Sequence, residues 1–203
     1  MAHGGTHGPG TQDREKILGT MNDQKPESTA SGSHGPAPRL ADEHAIRNVL
    51  LRYCRGIDRI DLDLVRECFH PDARDDHGGF NGTIDEFITW IARLLPRYGV
   101  SIHNLSNILI DFHPNRDDVA HVETYGCAEH QTIGGGPELN LTIFFRYIDR
   151  FERRGNGGWR IADRVGTTEL VRANDPSLAF PVDTRYPRGR RGDRSDPVYR
   201  PFA

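Results

Sequence analysis

The spacing of apolar residues changes once along this chain, near Pro96, and that change limits the folds open to it. Before it, apolar side chains recur at three- and four-residue intervals. Ile46, Val49, Leu50, Tyr53 and Ile57 form one helical stripe, which predicts a first helix from about Asp42, read as its N-cap, to Gly56, read as its exit. A second, short helix is expected from Leu62 to Phe69, capped by Asp61, with His70-Pro71-Asp72 read as a turn. A third starts at Thr83, whose partner Glu86 completes a capping box. Its buried face is Ile84, Phe87, Ile88, Ile91 and Leu95, and Pro96 closes it.

After Pro96 the segments near 103–112, 118–132, 139–153 and 158–169 are rich in β-branched and aromatic residues. Turn chemistry separates them at residues 114–117, at Gly134-Gly135-Gly136-Pro137 and at residues 155–158. Three helices followed by four long hairpin-connected strands predict an α+β domain, with helices on the concave face of a curved antiparallel sheet. A pocket belongs between the two layers.

The 203 residues suit one domain of about 41–170 with tails. Residues 1–40 are Gly-, Pro- and Ser-rich and are expected to be disordered, with Met21 an alternative start to Met1. Residues 171–203 read as an irregular, proline-punctuated arm wrapped over its own domain or a neighbouring subunit. The arm's Arg188–Gly192 cluster is offset by Asp183, Asp193 and Asp196, has no interleaved aromatics, and the net charge is −3. No nucleic-acid partner is expected. Without an apolar run near 18 residues no membrane span is expected. The cysteines Cys54, Cys68 and Cys127 lack metal or disulfide spacing, so they read as buried hydrophobes in a reduced, cytoplasmic protein.

The chemistry-bearing residues gather around the layer boundary. Asp58 leaves the first helix, and Asp61 is the better cap for the second, so Asp58 has no obvious capping duty. His103 opens the first long strand. If the fold joins them, an imidazole oriented by a carboxylate can take a proton beside a carbonyl. Tyr53 could polarise the carbonyl oxygen. On a regular helix, however, five residues put Tyr53 and Asp58 about 140° apart, so they converge only if the helix ends near Gly56. Asn107 shares strand parity with His103. His130, Arg146 and Trp90 are further candidates for the pocket wall. His70, Asp72, Asp75, Asp76 and His77 crowd one segment, but no element is predicted to fix them, so no metal site is expected. The glycines at 134–136 are not a phosphate loop, and no Gly-x-Ser-x-Gly elbow occurs.

Taken in order, Leu51–Asp58, Cys68–Ala73, Gly82–Phe87, His103–Asn107, Glu123–Tyr125, Arg146–Phe151 and Gly158–Ala162 carry a resemblance. The chain resembles the SnoaL-like polyketide cyclase and dehydratase group of the nuclear transport factor 2-like superfamily. The resemblance implies a cone: a curved sheet around a long helix, with the pocket in its mouth. It sets Asp58, His103 and Tyr53 at positions that catalytic members use. It also implies a functional arginine on the last strand. Thr168 stands there, and Arg164, four residues earlier, could substitute if it points inward.

The expected function is a lyase or isomerase (dehydratase, isomerase or cyclase) acting on a small apolar carbonyl compound, without cofactor. His103, Asp58 and Tyr53 would be catalytic. Asn107, Arg164, His130, Arg146 and Trp90 would bind substrate. The alternatives are a non-catalytic ligand-binding or assembly module, or the small subunit of a ring-hydroxylating oxygenase. Relatives form dimers or trimers, so a homodimer or homotrimer is implied.

Overall fold

The first helix is longer than its sequence signals. In the computed structural model, which describes residues 36–133, 140–174, 185, 187 and 189–199, α1 runs Pro36–Arg59. Asp42 lies inside it and caps nothing. Its carboxylate accepts hydrogen bonds from Arg153 Nη1 (2.7 Å) and Trp159 Nε1 (2.8 Å), tying the helix to the sheet. Gly56 also lies inside the helix. A Cβ there would sit 2.6 Å from Val65 Cγ2, so the missing side chain permits close packing of the next helix, α2 (Leu62–Glu67). α1 ends with Asp61 N donating to Gly56 O and Ile60 N to Ile57 O, a Schellman closure. Ile60 takes the left-handed position at φ 56°, where glycine is usual.

Asp61 caps α2 by accepting from Leu64 N. Next come β1 (Phe69–Asp76) and β2 (Asn81–Thr83). α3 (Ile84–Leu94) opens on the expected capping box, Thr83 with Glu86, and passes into a 3₁₀ turn at Leu95–Arg97. Four long strands follow: β3 (Tyr98–Phe112), β4 (Val119–Thr132), β5 (Asn140–Arg153) and β6 (Trp159–Asn174). The expected glycine turn at 134–137 lies outside the described residues, as do the first 35 residues.

The curved, unclosed sheet has six strands in the order β2-β1-β6-β5-β4-β3. The stretch read as a turn at His70-Pro71-Asp72 is strand, and β1 lies parallel to β6, whereas the other pairings are antiparallel. Pro71 and four charged residues hide this strand in the sequence. Pro71 is tolerated because the β1–β6 register slips between Phe69 and Arg74. Ala73 and Asp75 nevertheless point inward, with period two.

The core lies between α1, α3 and the sheet's concave face. Ile46, Leu50, Tyr53, Ile57, Phe69, Phe87, Ile91 and Phe151 are all buried there. Each such side chain stabilises by about 1.5–3 kcal/mol relative to exposure. Cys54 and Cys68 are buried, and burial pushes their thiols up to about 12 and about 11; Cys127 is only half-buried. β6 continues past Leu170 to Asn174. Residues 189–199 pack against the end of α1. Arg191 donates to the Asp58 and Tyr98 carbonyls (2.8 and 2.6 Å), and Arg194 and Tyr199 reach the Asp61 carboxylate. No helix among the described residues is long and apolar enough to cross a membrane.

Candidate active site

The mouth between α1, α3 and the sheet holds a cavity of about 200 Å³. Its walls are mostly apolar, with Ile57, Phe87, Trp90, Leu94, Ile143 and Phe145 contributing. Among its polar wall residues are Tyr53, His77, His103, His130 and Tyr147.

Asp58, in the last turn of α1, meets the start of β3. Its carboxylate accepts from Ser101 Oγ (3.1 Å), His103 N (3.0 Å) and His103 Nδ1 (2.7 Å). Backbone and ring of His103 are therefore gripped by one side chain. The Asp58 and His103 side chains are 13% and 7% exposed, so water weakens the contact little. With Nδ1 donating to the carboxylate, the tautomer assigned by this bonding leaves Nε2 with a lone pair. His103 lines the cavity; Asp58 stands behind it.

His130 packs edge-on against His103 (centroids 5.4 Å) and stacks on Tyr98 (4.6 Å). Its Nδ1 has no hydrogen-bond partner among the described residues. Burial first, then the neighbouring His103 and Arg191, pull the imidazole down to about 4. The sign of its contribution to stability follows. Between about pH 4 and the ordinary value of 6.5, the unfolded chain binds a proton that the folded ring refuses. Stability from this group is therefore complete above that window and falls as pH falls through it. After discounting for partial exposure, the loss on acidification is about 2 kcal/mol. Urea denaturation of His130→Gln should show a correspondingly flatter stability profile between pH 7 and pH 4.

Tyr53 lines the cavity floor, edge-on to Phe69 and Tyr147 (5.8 Å each). Burial pushes its phenol far above the ordinary range, opposed by Arg164, so it stays a hydrogen-bond donor. Because α1 stays helical to Arg59, the bend that would bring Tyr53 to Asp58 does not occur. Tyr53 and His103 instead share the cavity from separate walls. Trp90 also lines it, stacked on Phe80.

Three expected wall residues lie elsewhere. Asn107 is exposed, because Ser106 and Asn107 form a bulge opposite Tyr125 that reverses strand parity beyond Leu105. Arg146 is held by Glu123 and Glu169 (2.7 Å each) over the exposed Tyr125 ring, away from the cavity. Arg164 does point inward, but beneath the cavity: its Nε and Nη2 both bind Asp149 at 2.7 Å, and it lies between the Tyr53 and Tyr147 rings. No group of three or more His, Cys, Asp or Glu side chains among the described residues is placed to hold a metal ion.

Sequence reasoning missed His77. It lines the cavity, lies over Phe87 (5.3 Å), and its Nδ1 is bonded to the buried Asp75. The available signal was the two-residue spacing, which puts both on one face of a strand.

Comparison with known proteins agrees with this architecture. No curated protein matches the chain. Among solved structures, a candidate scytalone dehydratase from Novosphingobium aromaticivorans superposes with TM-score 0.60 at 20% identity, over 71% of this chain and 99% of that one. A type 3 hexachlorocyclohexane dehydrochlorinase (LinA) from Novosphingobium barchaimii gives 0.63 at 18%, covering 72% and 99%. A protein of unknown function from Mycobacterium tuberculosis gives 0.54 at 23%, covering 73% and 83%. These likenesses show a shared cone of the nuclear transport factor 2-like kind. The profile of the SnoaL-like domain matches residues 38–165, and the chain therefore belongs to the SnoaL-like domain family.

Proposed function

We propose that this protein is a lyase or isomerase that removes a proton beside the carbonyl of a small, largely apolar compound, using side chains alone. The observation that carries this reading is the Asp58–His103 contact at the wall of an apolar cavity. His103 Nε2 takes the proton, and Asp58 holds the tautomer and stabilises the imidazolium that forms. Tyr53, kept protonated by burial, donates to the oxygen as enolate charge develops. His130, edge-on to His103, completes the wall beside the base, and Trp90 covers one flank. Likeness to a dehydrochlorinase and a candidate scytalone dehydratase supports elimination as the overall outcome. Exposed Ile102, Leu109 and Val171 on the long strands support a homodimer or homotrimer, and the free cysteines support a cytoplasmic setting.

The test is turnover of cyclic β-hydroxy ketones built on β-hydroxycyclohexanone, followed by enone absorbance. The wild type is expected to form enone, and His103→Gln to lose roughly 10²–10⁴-fold in rate. Equal rates would remove His103 from the reaction.

A further inference from the structure

We infer that His77, oriented by Asp75, is a second catalytic residue: the acid that gives a proton to the oxygen departing from a β-hydroxy carbonyl substrate. The inference rests on the proton-abstraction reading above and assigns the leaving-group half of the same reaction. Topology carries it. β1 and β3 lie four strands apart in the sheet order, yet His77, one residue beyond β1, and His103, on β3, line the same cavity. The sheet has curled until groups from its two sides share one hollow of about 200 Å³. A substrate between them is within reach of two imidazoles, each backed by a carboxylate.

The second pair is built, not incidental. Asp75 is 0% exposed, and Arg164, the nearby cation, gives its Nε and Nη2 to Asp149. Asp75 Oδ2 has no partner among the described residues, so His77 Nδ1 is the donor that answers this carboxylate. The ring is fixed from both ends. His77 N donates to Phe80 O (2.8 Å), Gly79 N donates to His77 O (2.7 Å), and Phe87 stacks on the ring face. Gly166 on β6 flanks it, where a Cβ would come within 3.4 Å of the ring. With Nδ1 committed, Nε2 is the nitrogen left to exchange a proton with a ligand.

Elimination of water needs both groups. The bond from carbon to the α-hydrogen breaks, and the proton goes to His103 Nε2. The freed electron pair becomes the carbon–carbon double bond, and the bond to the β-oxygen breaks. That oxygen takes the proton of His77 Nε2–H and departs as water. His103 ends protonated and His77 neutral; proton exchange through solvent resets the pair. No oxidant or reductant is involved. The charged and titratable groups around His77 are Asp75 on β1, Tyr53 on α1, Tyr147 and Asp149 on β5, and Arg164 on β6.

The experiment separates the two proton transfers. Wild type, His77→Gln and His103→Gln are compared on β-hydroxycyclohexanone in D₂O, with α-deuterium incorporation read by NMR and enone formation by absorbance. His77→Gln is expected to keep α-exchange within about threefold of wild type while losing enone formation by about 100-fold or more. β-Acetoxycyclohexanone, whose leaving group departs without a proton, should restore elimination in His77→Gln. If the single variant unfolds, His77→Gln/Asp75→Asn removes the unanswered carboxylate and takes its place. Loss of exchange and elimination in equal measure, intact elimination, or no rescue by the acetate each overturns the role given to His77. A wild type that neither exchanges nor eliminates, or exchange that survives in His103→Gln, overturns the proton-abstraction reading itself and this role with it.

Discussion

Asp58→Asn is expected to lower kcat on a β-hydroxy ketone by about 10³- to 10⁴-fold while the protein remains folded. The carboxylate accepts from Ser101 Oγ, His103 N and His103 Nδ1, all through two oxygens. A carboxamide has one acceptor oxygen and one NH₂. If the oxygen stays on the His103 backbone, the NH₂ faces Nδ1, and the ring can accept that bond only with its hydrogen moved to Nε2. The nitrogen facing the substrate then has no lone pair, and the base is lost without loss of bulk. KM should move little, because Asp58 stands behind the cavity wall. Folding should cost about 1–3 kcal/mol for the lost charged acceptor, read by urea denaturation. A kcat within threefold of wild type, in a protein that melts normally, would end the claim that Asp58 orients the base.

The site was partly legible in the sequence because its two main residues sit where local rules leave them idle. Asp61 serves as the cap of α2, which left Asp58 free for a distant partner, and the structure supplies His103. The capping box at Thr83 and the change of period near Pro96 also marked real element starts, since both rest on backbone physics a few residues long. What failed depended on distant contacts. Strand parity put Asn107 with His103, but the bulge at Ser106–Asn107 turns Asn107 outward, and only pairing with β4 reveals it. Asp42 resembled a cap, but its partners Arg153 and Trp159 lie over 100 positions away. β1 was hidden by its own polarity: Asp75 is buried because His77 answers it, and burial of a charged residue on a strand leaves no apolar alternation to read. That one misreading also hid His77 from the cavity.

Asp149→Ala is expected to be the most destabilising small change in the domain, at about 3–5 kcal/mol. Asp149 and Arg164 side chains are both 0% exposed, and two 2.7 Å bonds join them beneath the cavity. The guanidinium lies 4.2 Å from the Tyr53 ring centroid and 3.9 Å from that of Tyr147, contacts that help to hold it but cannot replace an anion. Removing the carboxylate leaves a cation that cannot shed its charge. At about 2–4 °C per kcal/mol for a domain of this size, Tm should fall by roughly 6–20 °C. Arg164→Met should be milder. Burial already pushes the Asp149 carboxyl up and Arg164 opposes it, so without the arginine the acid can take a proton. A carboxyl raised above its unfolded value stabilises most at low pH and loses that contribution as pH rises. Arg164→Met should therefore regain stability relative to wild type on moving from pH 8 to pH 5, whereas Asp149→Ala should not. Asp149→Leu/Arg164→Met, which removes both charges and keeps volume, should recover most of the single-variant loss. A double variant as unstable as Asp149→Ala would show that the network is needed as a whole, with Tyr53, Tyr147 and the cavity floor depending on it.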